Sequence, residues 1–433
     1  MTGASLAASL VARGLDPREL DAKQSLFDLV LGAFRALTGD APRHAWWVPG
    51  RLEVFGKHTD YAGGRALVGA VPRGLAVAAG PRGDGTIHVV DARRGDRLRL
   101  AASQEAAFTG WRHYVEVIGR RLSTNFPGAR LGADIVFASD LPRASGMSSS
   151  SALVVAISAA LVRVAEIAGR PEWRTNIHDT IDVAGYFACI ENGLTFGTLE
   201  GDAGVGTHGG SEDHAAILAG IPGQVSALAF VPMRPIGSVR VPDAWRFVLA
   251  PSVVRSSKTG DAQDAYNRLA RGAQVLLEIW NAAEPPAPSL AAALASGSSA
   301  PDRVRRLVCG SAIPDWPPDV LARRLDHFIR EDARATDALA AFREADAPGL
   351  ASLSQASQAD AERLLGNQVP ETSALAQSAR QFGAFAACSF GAGFGGSVWA
   401  LVPHDMAARF APRWSPDAFV AAPGPPLTAL GPP

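Results

Sequence analysis

The sequence predicts a mixed helix-and-strand protein with enough material for two domains or one large one. Three observations carry this. The chain has 433 residues, 47% of them hydrophobic, which is ample for a packed core. Residues 45–101 read as strands broken by Gly and Pro. Apolar residues at helical spacing recur in two distant segments, through Leu26, Leu29, Val30 and Phe34 and again at positions 325, 328, 329, 339 and 342.

Taken in order, residues 1–20 form a frayed or helical lead and 21–39 a helix. The strands of 45–101 follow, then a helix over 111–122 and a strand over 133–137. Two further helices come next, the second containing residues 184–191. A polar, Gly-rich stretch at 197–210 gives way to a helix over 212–218. Strands are expected at 226–230 and 246–250, and a helix over 262–281. Residues 281–302, rich in Pro, Ala and Ser, read as an exposed connection before the helix at 321–342. The Pro-rich stretch 412–433 reads as a loosely attached tail.

Net charge is −1, which gives no electrostatic footprint for nucleic acid or an anionic membrane. The longest apolar run, residues 152–162, is too short to span a bilayer. Residues 1–14 lack the pattern of a secretory signal. Cys189, Cys309 and Cys388 are scattered without metal-ligand spacing and fit a reduced, cytoplasmic setting. Of the 41 basic residues only Lys23, Lys57 and Lys258 are lysine. A compact point charge kept in an arginine-rich chain suggests function at Lys57 and Lys258, against chance or, for Lys57, an ion pair with Glu53.

Three segments carry chemistry. The first, residues 49–64, reads Pro-Gly-Arg-Leu-Glu-Val-Phe-Gly-Lys-His-Thr-Asp-Tyr-Ala-Gly-Gly. Continued as a strand, it puts Glu53, Phe55 and Lys57 on one face, and Gly56 releases His58 and Asp60 onto a loop. The plain alternative is a polar hairpin. The second runs Gly146-Met-Ser-Ser-Ser-Ser151 into an apolar helix, whose unpaired N–H groups and dipole make an anion site. It is not a Walker A loop, because no Gly-Lys-Ser/Thr follows. An N-cap alone would need one serine, not Ser148, Ser149, Ser150 and Ser151 together. The third, Ser389-Phe-Gly-Ala-Gly-Phe-Gly-Gly396, permits close backbone approach before a buried strand, though a tight turn has the same composition.

In this order the three segments resemble the signatures of the GHMP kinases, and within them the galactokinases, over residues 40–410. The resemblance implies an α+β two-domain GHMP-kinase-like fold. Its N-terminal domain would be like the second domain of ribosomal protein S5 and its C-terminal domain ferredoxin-like, divided as residues 20–225, 226–411 and the tail. It implies an ATP- and Mg²⁺-dependent sugar kinase acting on the anomeric hydroxyl. In that family's terms Arg51 stabilises the transferring phosphoryl group and Asp213, in Gly-Ser-Glu-Asp-His, is the base. Gly146 and the serines hold phosphates, and Ser150 and Glu191 hold Mg²⁺. His58, Asp60 and Tyr266 meet the sugar. Asp213 as a helix cap, Glu191 as a solvated helix residue and Tyr266 as packing are the competing readings, and Glu212 is confusable with the base. His208 and His214 suggest no metal site. Two departures bear on substrate: the family usually has Asn at Glu53, and an acidic residue, directed toward the sugar 6-hydroxyl, at Lys57. A lysine there would favour an acidic hexose such as galacturonate over galactose, unless Glu53 neutralises it. A non-catalytic sugar or nucleotide sensor is the alternative of a different class, opposed by the intact Arg51, Ser150, Glu191 and Asp213.

Overall fold

The computed structural model describes residues 1–101, 108–142, 146–252, 254 and 261–431; Lys258 lies outside them. The lead is a packed helix rather than a frayed one. Thr2 caps α1 (Gly3–Ala12), which buries Leu6, Ala7 and Leu10. Next, α2 (Leu20–Thr38) buries Leu26, Phe27, Val30, Leu31 and Phe34 and stops at Gly39, whose φ of 82° suits glycine.

The long strands β1 (His44–Phe55) and β2 (Arg65–Pro81) pair antiparallel, followed by β3 (Thr86–Asp91) and β4 (Arg97–Ala101). After α3 (Trp111–Asn125) comes β5 (Ala133–Ser139), then α4 (Ser149–Val164), α5 (Pro171–Asn176), α6 (Thr180–Asn192) and α7 (Glu212–Ala219). The strands β6 (Gln224–Ala229), β7 (Arg234–Arg240) and β8 (Trp245–Pro251) follow, then α8 (Asp261–Ala283), α9 (Leu290–Leu294), α10 (Ala300–Cys309), α11 (Pro318–Glu344), α12 (Ala347–Asp360) and α13 (Pro370–Gln381). The chain ends through β9 (Ala386–Phe390), β10 (Ser397–Pro403), α14 (Ala407–Trp414), β11 (Phe419–Ala421) and β12 (Thr428–Leu430).

Among the described residues the larger sheet runs β12-β1-β2-β5-β3-β4, with β6 and β7 extending it from β2. Alternate residues feed two cores. Trp47, Ala76, Ala78, Val136 and Ala138 meet α1 and α2, whereas Trp46, Val48, Leu75, Val77 and Ile135 face the main core with α3, α4 and α6. The smaller sheet, β11-β8-β10-β9, is antiparallel and packs Ala376, Phe410 and Trp414 on one face. Mixed α+β content in two sheet-based units is as the sequence and its resemblance imply.

Three expectations need correction. The larger sheet continues past residue 225 through β6 and β7, because β6 pairs with β2 in the register Arg65–Ala229. Residues 281–302 are largely exposed, as expected, but they are not an unstructured connection: they contain α9 and the start of α10, whose Leu290, Ala293 and Ala300 are buried with Trp280. The tail is tied down, with β11 joining β8 and β12 joining β1. A Pro-rich composition hid these short edge strands, for which few residues carry the pairing.

Candidate active site

β1 supplies the floor of the site. Register shifts lie between Pro49 and Arg51 and between Glu53 and Phe55, and between them Arg51 and Glu53 share the face turned to a cavity of about 390 Å³. The Arg51 N–H donates to Met147 O (3.1 Å) and its Nη1 to Gly146 O (2.8 Å), which locks the start of the serine loop to the strand. Gly50 is required here, since a Cβ would lie 2.7 Å from Met147 O.

The Arg51 guanidinium is buried in carboxylates. Its Nε donates to Asp213 Oδ1 at 2.6 Å and its Nη2 lies 2.5 Å from the same oxygen; Glu212 Oε1 is 3.4 Å away and Glu53 Oε2 3.8 Å. Burial opposes the charge, but these three carboxylates outweigh it and raise the pKa of Arg51, so it stays a cation. Asp213 sits in the first turn of α7, and Ser151 Oγ donates to its Oδ2 at 3.3 Å. Asp213 is thus held from both sides and still faces the cavity. Its neighbour Glu212 is buried, and burial, reinforced by Glu53 and Asp60, pushes its carboxyl well above the usual range.

Asp60 lies in the loop after β1, where its Oδ2 accepts from the Glu212 N–H at 3.1 Å. Gly210 is needed opposite it, because a Cβ would fall 2.1 Å from Asp60 Oδ2. Burial raises the pKa of Asp60. His58 lines the cavity in the left-handed region, at φ 58°, with Nδ1 at 2.9 Å from Tyr61 Oη and Nε2 at 3.0 Å from Ala392 O. Its ring bridges the loop after β1 to the glycine-rich loop. Tyr266 of α8 packs on that ring (centroids 5.3 Å apart) and also lines the cavity.

At the opposite wall Ser148 adopts φ 55° and α4 begins at Ser149, so the helix N-terminus opens onto the cavity with Gly146, Ser148, Ser149, Ser150 and Ser151 around it. Glu191 of α6 faces the same space, with Oε2 at 3.2 Å from His214 Nε2. Gly391 closes in from the glycine-rich loop, at φ 86°; a Cβ there would meet Gly146 O at 2.8 Å. Trp111 and Tyr114 of α3 complete the wall. Sequence reasoning missed this pair, whose i,i+3 spacing at a helix start was the available signal.

The expected residues therefore gather around one cavity, with one exception. Lys57 does not line it. β1 ends at Phe55 and Gly56 turns at φ 108°, so the strand alternation that would have aimed Lys57 at the sugar is lost. Its buried Nζ instead donates to Ser357 Oγ (2.9 Å) and Cys388 Sγ (3.3 Å) and lies 3.8 Å from Glu331 Oε1. Its ion pair within 4 Å is with Glu331, while Glu53 acts on it at longer range.

Comparison with known proteins agrees with this geometry. The profile described as galactokinase galactose-binding signature matches residues 32–81, and those of the GHMP kinase N- and C-terminal domains match 113–220 and 338–419. A galactokinase of Actinobacillus pleuropneumoniae is 33% identical over 113 residues, which span 26% of this chain but only 29% of that protein. A galactokinase of Mycobacterium bovis is 30% identical over 367 residues, covering 84% of this chain and 90% of the relative. The crystal structure of Lactococcus lactis galactokinase complexed with galactose superposes with a TM-score of 0.75 at 21% identity, over 92% of this chain and 98% of that one. By sequence along most of its length, and by a fold shared with these kinases, the chain belongs to the galactokinase family of the GHMP kinases.

Proposed function

We propose that this protein is a sugar 1-kinase of galactokinase type, moving the γ-phosphoryl group of ATP to the anomeric hydroxyl of galactose or a closely related neutral sugar. The observation that carries this reading is the Arg51–Asp213 pair, a carboxylate gripped by a guanidinium inside a cavity whose far wall is a serine-lined helix N-terminus. Phosphoryl transfer needs positioning, charge neutralisation and a proton acceptor. Asp213 takes the proton of the sugar hydroxyl, and Arg51, anchored on Gly146 O, orients Asp213 and faces the charge that builds on the phosphoryl oxygens. The N–H groups at the start of α4 receive the phosphates. Asp60 and Tyr266 hold the sugar.

Ser150 and Glu191 offer two oxygen donors on one cavity wall, which fits Mg²⁺ brought in on nucleotide phosphates. Among the described residues no cluster of three or more His, Cys, Asp or Glu forms a metal cage, so the phosphates would complete the coordination. The cation would neutralise phosphate charge. Trp111 and Tyr114 line the cavity along with the serines, and aromatic side chains there suit a nucleobase.

The acidic-hexose reading loses its support, because the lysine that motivated it is turned out of the cavity. The sensor reading is opposed by the assembled base and guanidinium. No helix among the described residues is long and apolar enough to cross a membrane. A coupled ADP-release assay over neutral and acidic monosaccharides tests the function: ADP release dependent on both ATP and galactose is expected, and ligand binding without ADP release would assign a sensor.

A further inference from the structure

None of the roles above uses Glu53. Its side chain is buried, 2% exposed, on the cavity wall beside Arg51. The two carboxyl oxygens differ. Oε2 accepts from the Gly391 N–H at 3.3 Å and lies 3.8 Å from Arg51 Nη2. Oε1 is buried and has no hydrogen-bond partner among the described residues. A buried polar oxygen without a partner is costly, and the cost is relieved when a ligand donates to it.

The charges around the cavity restrict what that ligand is. Among the described residues lining it, Arg51 is the basic side chain of Arg or Lys type, and Asp213 already grips it. Glu53, Asp60, Glu191, Glu212 and Asp213 are acidic. A sugar hydroxyl can donate to Oε1, whereas a sugar carboxylate would meet acceptors and negative charge.

Resting on the kinase reading, we propose that Glu53 is a substrate-contacting, specificity-determining residue: Oε1 receives a hydroxyl of the bound sugar and excludes anionic sugars. Lys57, turned out of the cavity, is paired with Glu331 and leaves Glu53 without competition for its free oxygen. Burial, against the pull of Arg51 and Lys57, lifts the Glu53 carboxyl to about 7.

The test is Glu53→Gln. Its amide oxygen can still accept from the Gly391 N–H, so the glycine-rich loop stays tethered, but an NH₂ donor replaces the unpartnered acceptor. Galactose KM is expected to rise at least about tenfold, the lower limit for a hydrogen bond to a charged group. ATP KM should stay within about twofold, and the preference for galactose over galacturonate should narrow. An unchanged galactose KM and sugar ranking in folded variant would overturn the proposal, as would equal rises in both KM values, which mark loop disruption only. Should Glu53→Gln not fold, Glu53→Asn carries the same comparison. One measurement needs no variant: galacturonate should inhibit the wild type with a constant at least about tenfold above the galactose KM, and equal values would overturn the proposal. Wild type that releases no ADP with any sugar would instead overturn the kinase reading. Protection against heat by galactose, in wild type and Glu53→Gln, would then still decide whether Glu53 touches the sugar.

Discussion

Two of the three lysines do what arginine does poorly. Lys23 is fully buried, with Nζ at 3.0 Å from Glu19 and 2.5 Å from Asp140, beside the Trp47 ring. Lys57 is equally buried in its pocket of Glu331, Ser357 and Cys388. A compact ammonium on a slender stem fits such pockets and a planar guanidinium does not. The lysine count pointed to Lys57 and Lys258; the geometry gives Lys57 a structural pocket, adds Lys23, which was not singled out, and does not reach Lys258, which lies outside the described residues. Glu53 gives a pH prediction at the same scale. Its carboxyl, pushed up to about 7 by burial, holds a proton more tightly in the folded state than in the unfolded one. Its contribution to stability is full below the ordinary carboxylate range and is lost as pH rises through about 7. Glu53→Gln removes that dependence. The wild type should lose about 2 °C or more in Tm relative to the variant between pH 5 and pH 8; parallel curves would show that Glu53 titrates normally.

Each loop around the site is positioned by one element it leads into or leaves. The serine loop is the clearest, because α4 starts at Ser149 and makes the donor array by its own geometry. Ser150→Ala should raise the Mg²⁺ concentration giving half-maximal ADP release by about tenfold. An unchanged metal titration would place the cation elsewhere. Gly391→Ala should act differently: at φ 86°, with Gly146 O at 2.8 Å from the added Cβ, it forces the glycine-rich loop off the Arg51 wall. A loss in kcat/KM of at least tenfold for both substrates is expected, and wild-type kinetics would show that the two loops need not touch. The helices at 20–38 and 318–344 were legible because a single period dominates each. The serine loop and the strand carrying Arg51 were legible because residue type and spacing state the chemistry directly. The direction of Lys57 was not, since a register shift between Glu53 and Phe55 and then Gly56 break an alternation that sequence alone extends. Nor were β11 and β12, whose three-residue lengths leave no period to read.

Across the whole molecule, the sugar-signature loop is clamped by the second half of the chain. Arg324 of α11 donates to His58 O at 2.7 Å and Tyr61 Oη at 3.0 Å, Glu331 of the same helix accepts from the Gly56 N–H at 3.1 Å, and Trp399 of β10 donates to Val54 O at 3.2 Å. Burial would raise the Glu331 carboxyl, but Lys57 and Arg334 outweigh it and hold it below its ordinary value. The Lys57–Glu331 pair is thus a charged rivet between the two halves rather than a substrate contact. Lys57→Met should cost about 3 kcal/mol, the low end for breaking a buried ion pair because Arg334 remains at 2.9 Å from Glu331. The ranking of galactose, glucose and galacturonate should not change; a shift of about tenfold in that ranking would return Lys57 to the sugar site. The central claim is that this assembly positions Asp213, held by Arg51, to take the proton of a sugar hydroxyl. Its most direct test is ATP- and galactose-dependent ADP release by purified Asp213→Asn beside wild type, with ATP binding and thermal stability measured on both. The account predicts a folded, ATP-binding variant whose turnover falls by about 10²–10⁴; near-normal turnover would contradict it.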